Sequence, residues 1–303
     1  MLKRSAVFFL AVIILFFSGV EGASAEFNPR ILEKEEMDFF PEQIKGYRIF
    51  YDSDGLKVRG YLVRPAQEGE FPLLIFNRGG NRDFGMIDKR QLGSFIGPLV
   101  MQGYTVLASQ YRGVEGGEGR EEFGGEDVQD VLNILEIGRE LPYTKDDQVV
   151  MLGFSRGGMM TYLAIKHGAP LRAAAVLAAP ADLKANYEYR ERGMELVMEE
   201  LIGGTPEEKP EEYQKRSAVY WPEKLEVPLL MLHGDADWRV SVDHTIRLAE
   251  KLENLDLSHK KVIFPGGDHN LSGHTEEMFV NIFSWFEEHL DLSEEEWKEL
   301  QIR

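Results

Sequence analysis

The sequence predicts an α/β fold: a mostly parallel eight-stranded sheet with helices on both faces and a helical insertion between the sixth and seventh strands. Three observations predict it. Short apolar runs alternate along the chain with segments whose apolar residues recur at helical spacing. The apolar run at 149–152 leads directly into Gly153-Phe154-Ser155-Arg156-Gly157, and a helical pattern follows. Two later apolar runs each end in a turn rich in Gly and Asp, one carrying Asp237 and the other His269.

Residues 1–25 have the form of a secretory signal. Lys3 and Arg4 are basic, 6–17 is an unbroken apolar run, and Ala23-Ser24-Ala25 offers a small-residue cleavage site. The run is shorter than the roughly 20 residues of a membrane span. An uncleaved N-terminal membrane anchor is the alternative. Either way the rest of the chain is expected outside the cytoplasm, as a secreted or extracytoplasmic protein. Residues 26–303 suffice for one large α/β domain.

Residues 26–45 read as an N-terminal arm. Strands are predicted at 48–51 and 56–63, joined through Ser53-Asp54-Gly55, which carries an Asp-Gly hairpin signal. Further strands are predicted at 73–76, 104–109, 149–154, 173–179, 229–232 and 260–264. A helix is expected at 127–137, where Val128, Val131, Leu132 and Leu135 share one face. Similar patterns cover 243–252 and 276–289. Residues 180–226 break the rhythm. They are rich in Glu, Lys and Tyr, with a helical stretch around 191–201 and a break at Gly203-Gly204-Thr205-Pro206. They read as an inserted helical flap, with a long helical crossover as the alternative. Glu294-Glu295-Glu296 reads as a solvated C-terminal face.

Composition narrows the partners. A net charge of −18 repels nucleic acid and anionic lipid, so neither is expected as a partner. The chain has no Cys, which removes disulfides and a lipid-modified N-terminal Cys. Asp268 beside His269 is a metal-like pair, but no second ligand cluster accompanies it. No metal and no cofactor are expected.

The strand-to-helix serine points to nucleophilic chemistry. A serine hydroxyl is a poor nucleophile until a base takes its proton, and the base must be oriented by a third group. His269 is the candidate base, because it alone among seven histidines directly follows a Gly-rich turn off a predicted strand. His274 lies five residues further along, and His233, at a strand end, reads as shaping the turn. Asp237 is the candidate acid, with Asp235 as competitor and Asp182 as a third choice. Acyl transfer also needs two donors for a developing oxyanion. One is the backbone amide of Arg156. The other comes from the turn Asn77-Arg78-Gly79-Gly80, with Gly79 as first choice and Arg78 as second. The side chains of Arg78 and Arg156 either bind an acidic group of the substrate or pair with Glu126, Asp127 or Glu115.

These motifs together resemble the catalytic domain of the prolyl oligopeptidase family of serine peptidases, which has the α/β-hydrolase fold. The resemblance runs from about Tyr47 to His289. It is carried by 53–65 (Ser-Asp-Gly-Leu-Lys-Val-Arg-Gly-Tyr-Leu-Val-Arg-Pro), Tyr111-Arg112-Gly113, the run 123–130, the elbow around Ser155, His233-Gly-x-x-Asp237-x-x-Val240 and Gly266-x-x-His269. It favours Asp237 over Asp235. It implies a serine hydrolase working through an acyl-enzyme on an ester or short-peptide substrate. The sequence departs from the family in three ways. It leaves no room for a β-propeller, Arg156 stands where an aromatic residue is usual, and Asn77-Arg78-Gly79-Gly80 replaces a Tyr-Gly-Gly or His-Gly-Gly form. A carboxylesterase or dienelactone-hydrolase-like esterase is therefore the alternative, followed by a binding module that has lost catalysis.

Overall fold

In the computed structural model, which describes residues 28–189 and 193–302, the central strands divide their side chains between two cores. Side chains of a strand alternate faces. In β4 (Phe71–Asn77) Leu73 and Ile75 join one core, while Leu74 and Phe76 join the other. The same split occurs in β6 (Thr144–Phe154) and β8 (Leu229–Gly234). A strand buried on both faces must be apolar throughout, which is why these segments read as unbroken apolar runs.

The sheet has nine strands in the order β1-β2-β3-β5-β4-β6-β7-β8-β9. The other six are β1 (Ile31–Met37), β2 (Ile44–Ser53), β3 (Leu56–Pro65), β5 (Thr105–Ser109), β7 (Ala173–Leu177) and β9 (His259–Phe264). The pairs from β1 to β5 are antiparallel and the rest are parallel. The eight predicted strands are present, and β1 is the addition. It lies within what the sequence suggested was an arm. As an edge strand it exposes Leu32 and four charged residues, Glu33, Lys34, Glu35 and Glu36, so it carries no apolar period. Charges on an edge also block pairing with another chain.

Helices cover both faces. The first core is closed by α3 (Val128–Arg139), α4 (Arg156–Lys166), α5 (Leu183–Tyr189), α6 (Met194–Ile202), α7 (Pro210–Lys215) and α8 (Asp243–Asn254). The second is closed by the helical run at 89–101, comprising α1 (Lys89–Gln91), a π-helical turn and α2 (Gly97–Met101), and by α9 (Thr275–His289) and α10 (Glu294–Leu300). Residues 294–296 form the first turn of α10. Ser293 and Glu296 make its capping box, and Trp297 buries against the second core. Between β7 and β8 the chain is helical, with α5, α6, α7 and two 3-10 turns. The signal-like segment 1–25 lies outside the described residues.

The strand order places the chemistry. The chain passes from β4 to β5 on one side and then to β6 on the other. A crevice opens at the carboxyl ends where the order reverses. Asn77 at the end of β4 is level with Gly153 of β6, so the turns that follow these two strands meet. Gly234 of β8 is level with Phe264 of β9, so the loops bearing Asp237 and His269 also meet.

Candidate active site

The site begins with backbone geometry. Ser155 has φ 54° and ψ −122°, a conformation that a side-chain-bearing residue adopts at a cost of about 1–3 kcal/mol. The turn is held by the Ser155 amide donating to Leu177 O (2.8 Å) and by the Gly158 amide donating to Ser155 O (2.8 Å). Glycine is needed at Gly157, where a Cβ would lie 1.9 Å from Asn77 O. Gly79 sits close as well: a Cβ there would lie 3.1 Å from the Cβ of Ser155, a tight contact. Gly79 is therefore packed directly against the serine. The backbone N–H groups of Gly79 and Arg156 are not used in backbone hydrogen bonds among the described residues. Arg156 opens α4, where the helix dipole favours negative charge.

The structure brings Ser155, His269 and Asp237 together. Ser155 Oγ lies 3.0 Å from His269 Nε2, and His269 Nδ1 lies 2.7 Å from Asp237 Oδ2. Both His269 and Asp237 are buried, and the ring of Phe154 packs 5.2 Å from that of His269. A carboxylate only accepts at neutral pH, so His269 Nδ1–H donates to Asp237 and Nε2 is left as an acceptor facing Ser155 Oγ. Asp237 is saturated with donors. Its Oδ1 accepts from the amides of Arg239 (2.7 Å) and Val240 (3.0 Å). Burial pushes the Asp237 carboxyl up. Hydrogen bonds from His233, His269 and the Val240 amide outweigh it and hold the group well below the usual carboxylate range.

His233 does more than shape a turn. Its Nε2 lies 3.0 Å from Val240 O and 3.2 Å from Asp237 Oδ2, and its Nδ1 lies 2.8 Å from Thr245 Oγ1. A carbonyl oxygen cannot donate, so Nε2 carries the proton and Nδ1 accepts from threonine. The same imidazole thus supports the acid from behind.

The competing residues are placed elsewhere. Asp235 Oδ1 accepts from the Gly266 amide (2.6 Å), bracing the acid loop against the histidine loop. Asp268 Oδ1 accepts from the amides of Asn270 and Ser272, ordinary turn chemistry. Among the described residues no cluster of three His, Cys, Asp or Glu is arranged to hold a metal. His274 pairs with Glu277 (3.8 Å) at the start of α9.

Asp182 accepts from the Ala185 amide and pairs with Arg247 at 3.0 Å. Its own amide donates to His244 Nδ1 (3.2 Å). Burial lowers the His244 pKa from 6.5 to about 4, so it is neutral in the fold. An unfolded chain protonates this histidine below about pH 6.5 while the folded chain does not, so folding loses stability as pH falls from 6.5 towards 4. The full loss from this one group is about 3 kcal/mol. Urea unfolding at pH 7.5 and 4.5 should show a smaller acid-induced drop in His244→Gln than in the wild type. Equal drops would place the titration elsewhere.

Arg78 and Arg156 are both buried and both paired with carboxylates. Arg156 donates to Glu121 Oε1 (2.7 Å), Asp127 Oδ2 (2.5 Å) and Gly80 O (3.2 Å). Arg78 donates to the same Glu121 Oε1 (3.1 Å) and to the carbonyls of Gly79 (3.1 Å), Arg82 (3.0 Å) and Gln110 (2.9 Å). Glu121 Oε2 takes the Arg82 amide at 2.6 Å. The idea that these arginines bind an acidic substrate group fails, because both terminal nitrogens of each guanidinium are taken by carboxylates and carbonyls, and the unpartnered Arg156 Nε is buried. Asp127 was among the expected partners; Glu121 was not, since Arg120-Glu121-Glu122 reads as a surface charge run. Burial and the neighbouring Arg156 lower the Arg78 pKa to about 10, which still leaves it charged. Two cations and two anions balance. The arginines grip the carbonyls of the turn whose Gly79 packs against the serine.

The site opens into a cavity of about 670 Å³. Ser155 and His269 lie in its wall with Phe154, Phe123, Met194 and Val240.

Comparison with known proteins bears on the fold and the family. Residues 94–293 match the profile of the prolyl oligopeptidase family. The uncharacterized peptidase YtmA of Bacillus subtilis is 36% identical over 233 residues, covering 77% of this chain and 88% of its own. The uncharacterized peptidase YuxL of the same organism is 29% identical over 273 residues, but this chain spans only 40% of its length. Among solved structures, a Pyrococcus horikoshii acylaminoacyl peptidase superposes with TM-score 0.70 at 23% identity, over 90% of this chain and 44% of that one. A puromycin-hydrolyzing peptidase of Mycobacterium tuberculosis superposes with TM-score 0.73 at 21% identity, over 85% and 41%. These two likenesses establish the α/β-hydrolase fold. The profile match and the similarity to YtmA place the chain in the prolyl oligopeptidase family of serine peptidases.

Proposed function

We propose that the protein hydrolyses peptide bonds through an acyl-enzyme, with Ser155 as nucleophile, His269 as general base and acid, and Asp237 as the group that orients the imidazole. The observation that carries this reading is the line of contacts from Asp237 through His269 to Ser155. Ser155 Oγ attacks the carbonyl carbon as its proton passes to His269 Nε2. The carbonyl oxygen becomes an oxyanion facing the amides of Gly79 and Arg156. The C–N bond then breaks as His269 returns the proton to the leaving amine. Water, deprotonated by the same imidazole, repeats the attack and frees the acid. Asp237 stays ionised throughout, and its four donors hold the imidazole in one orientation.

Family membership and the peptidases among its relatives support peptide bonds as the target. Aminoacyl and dipeptidyl anilides, run beside short-chain nitrophenyl esters, test this. Anilide turnover is the expected result. Ester turnover with no anilide cleavage at high enzyme concentration would make the protein an esterase. A fluorophosphonate that fails to label folded protein would make it a binding module. The signal-like residues 1–25 support action outside the cytoplasm, which fractionation of the producing cells would check.

A further inference from the structure

Among the described residues four aromatic side chains are strongly exposed, and one of them, Phe84 (61%), lies in the lining of the catalytic cavity. Two others adjoin residues of the site: Trp238 (53%) stands beside the lining residue Arg239, and Tyr189 (45%) bonds to the backbone of Asp237. Arg239, also in the lining, sets its guanidinium 5.8 Å from the Phe84 ring and 5.0 Å from the Trp238 ring. Tyr189 is anchored by its hydroxyl, which donates to Asp237 O at 3.1 Å. The rings therefore stand on the loop that follows β4, on the acid loop and at the end of α5. Met194 and Val197 of α6 extend the apolar lining inwards.

Exposed aromatics grouped in this way mark an interaction surface. The occupant follows from two further observations. The opening leads to Ser155, so a partner seated permanently on it, such as a second copy of this chain, would close the site to substrate. The charges in the lining are mixed: Asp83 and Asp88 stand against Arg90 and Arg239, and the third arginine, Arg156, is neutralised by Glu121 and Asp127, which selects neither an acidic nor a basic ligand. We propose that the rim formed by Phe84, Trp238 and Tyr189 is an extended substrate site that selects polypeptides with apolar or aromatic side chains flanking the scissile bond. This deepens the peptidase reading above and rests on it.

The test uses the full chain and two pools of internally quenched peptides. Both pools share a randomised four-residue core. One is flanked by Leu and Phe, the other by Ser and Gly. The readout is the ratio of kcat/KM for the two pools, which general damage to the catalytic groups leaves unchanged. The wild type should favour the apolar flanks. Phe84→Ala and Trp238→Ala should each lower the ratio about tenfold, and the double variant should bring it near one. A wild-type ratio near one, or variants that keep the wild-type ratio, would overturn the rim while leaving peptide cleavage standing. Failure to cleave either pool, with esters still turned over, would overturn the peptidase reading and the rim with it. A wild-type dimer in sedimentation that Trp238→Ala dissolves would assign the rings to self-association instead.

Discussion

Replacing Ser155 by alanine is expected to lower kcat by about 10⁶-fold and to abolish labelling by a fluorophosphonate. The side chain is small, and the alanine retains the Cβ, so the elbow keeps its packing against Gly79. What is lost is the atom that attacks. His269→Ala should cost a similar amount, because the nucleophile without its base is nearly inert. The double variant should be no worse than either single one. Residues that act as one unit are removed together when any member is removed. The residual rate would come from the two backbone donors and from binding alone. Steady-state kinetics on whichever anilide or ester the wild type turns over would check all three numbers. A Ser155→Ala enzyme that still labels would show that the nucleophile lies elsewhere. Additive losses in the double variant would show that serine and histidine act separately.

Glu121→Gln should destabilise the fold by about 3–5 kcal/mol, because it leaves a buried arginine without its counter-charge. Burial is what makes the effect large: the side chains of Arg78, Glu121 and Arg156 are each no more than 3% exposed. At the surface the same substitution would be worth about 1 kcal/mol or less. Glu121 also accepts from the Arg82 amide, and it holds in place two arginines that grip the turn bearing Gly79. The surviving folded enzyme should therefore lose kcat while KM changes little, since the oxyanion forms only after binding. Urea unfolding and initial rates below the transition would measure the two effects separately. A Glu121→Gln variant as stable as the wild type would mean that the remaining carboxylate, Asp127, neutralises the cluster unaided.

The contrast between these two sites shows what the sequence conveyed. Ser155, Asp237 and His269 were legible because each follows a predicted strand within a few residues, buried β6 and β8 for the first two and the half-exposed edge strand β9 for the third, in a glycine-containing turn that is itself a signal. The central strands were legible because burial on both faces forces unbroken apolar runs. Strand β1 was hidden because an edge strand wetted on both faces needs no apolar residues. The helical run at 89–101 was passed over as well, since a π-helical turn interrupts its spacing. The Glu121 cluster was hidden for a different reason. Its partners lie 35 and 43 residues away, and nothing in Arg-Glu-Glu distinguishes a buried acid from a solvated one. His233 was found in sequence but under-read, because its hydrogen bonds reach Val240 and Thr245, which only the folded loop brings near.

His269 hangs from β9, and β9 is the last strand of the sheet, paired on one side only among the described residues. Ser155 by contrast follows β6, which is flanked by β4 and β7. Outer strands open more cheaply than inner ones, in local excursions that leave the rest of the molecule folded. Ser155 and His269, the proposed nucleophile and base, thus belong to regions of unequal durability. Fraying of one margin of the sheet would withdraw the imidazole from the serine and unpack only Phe264 and Val262 from the second core, leaving the first shut. Catalytic competence in this architecture is bounded by the persistence of its margin, not by the stability of its centre.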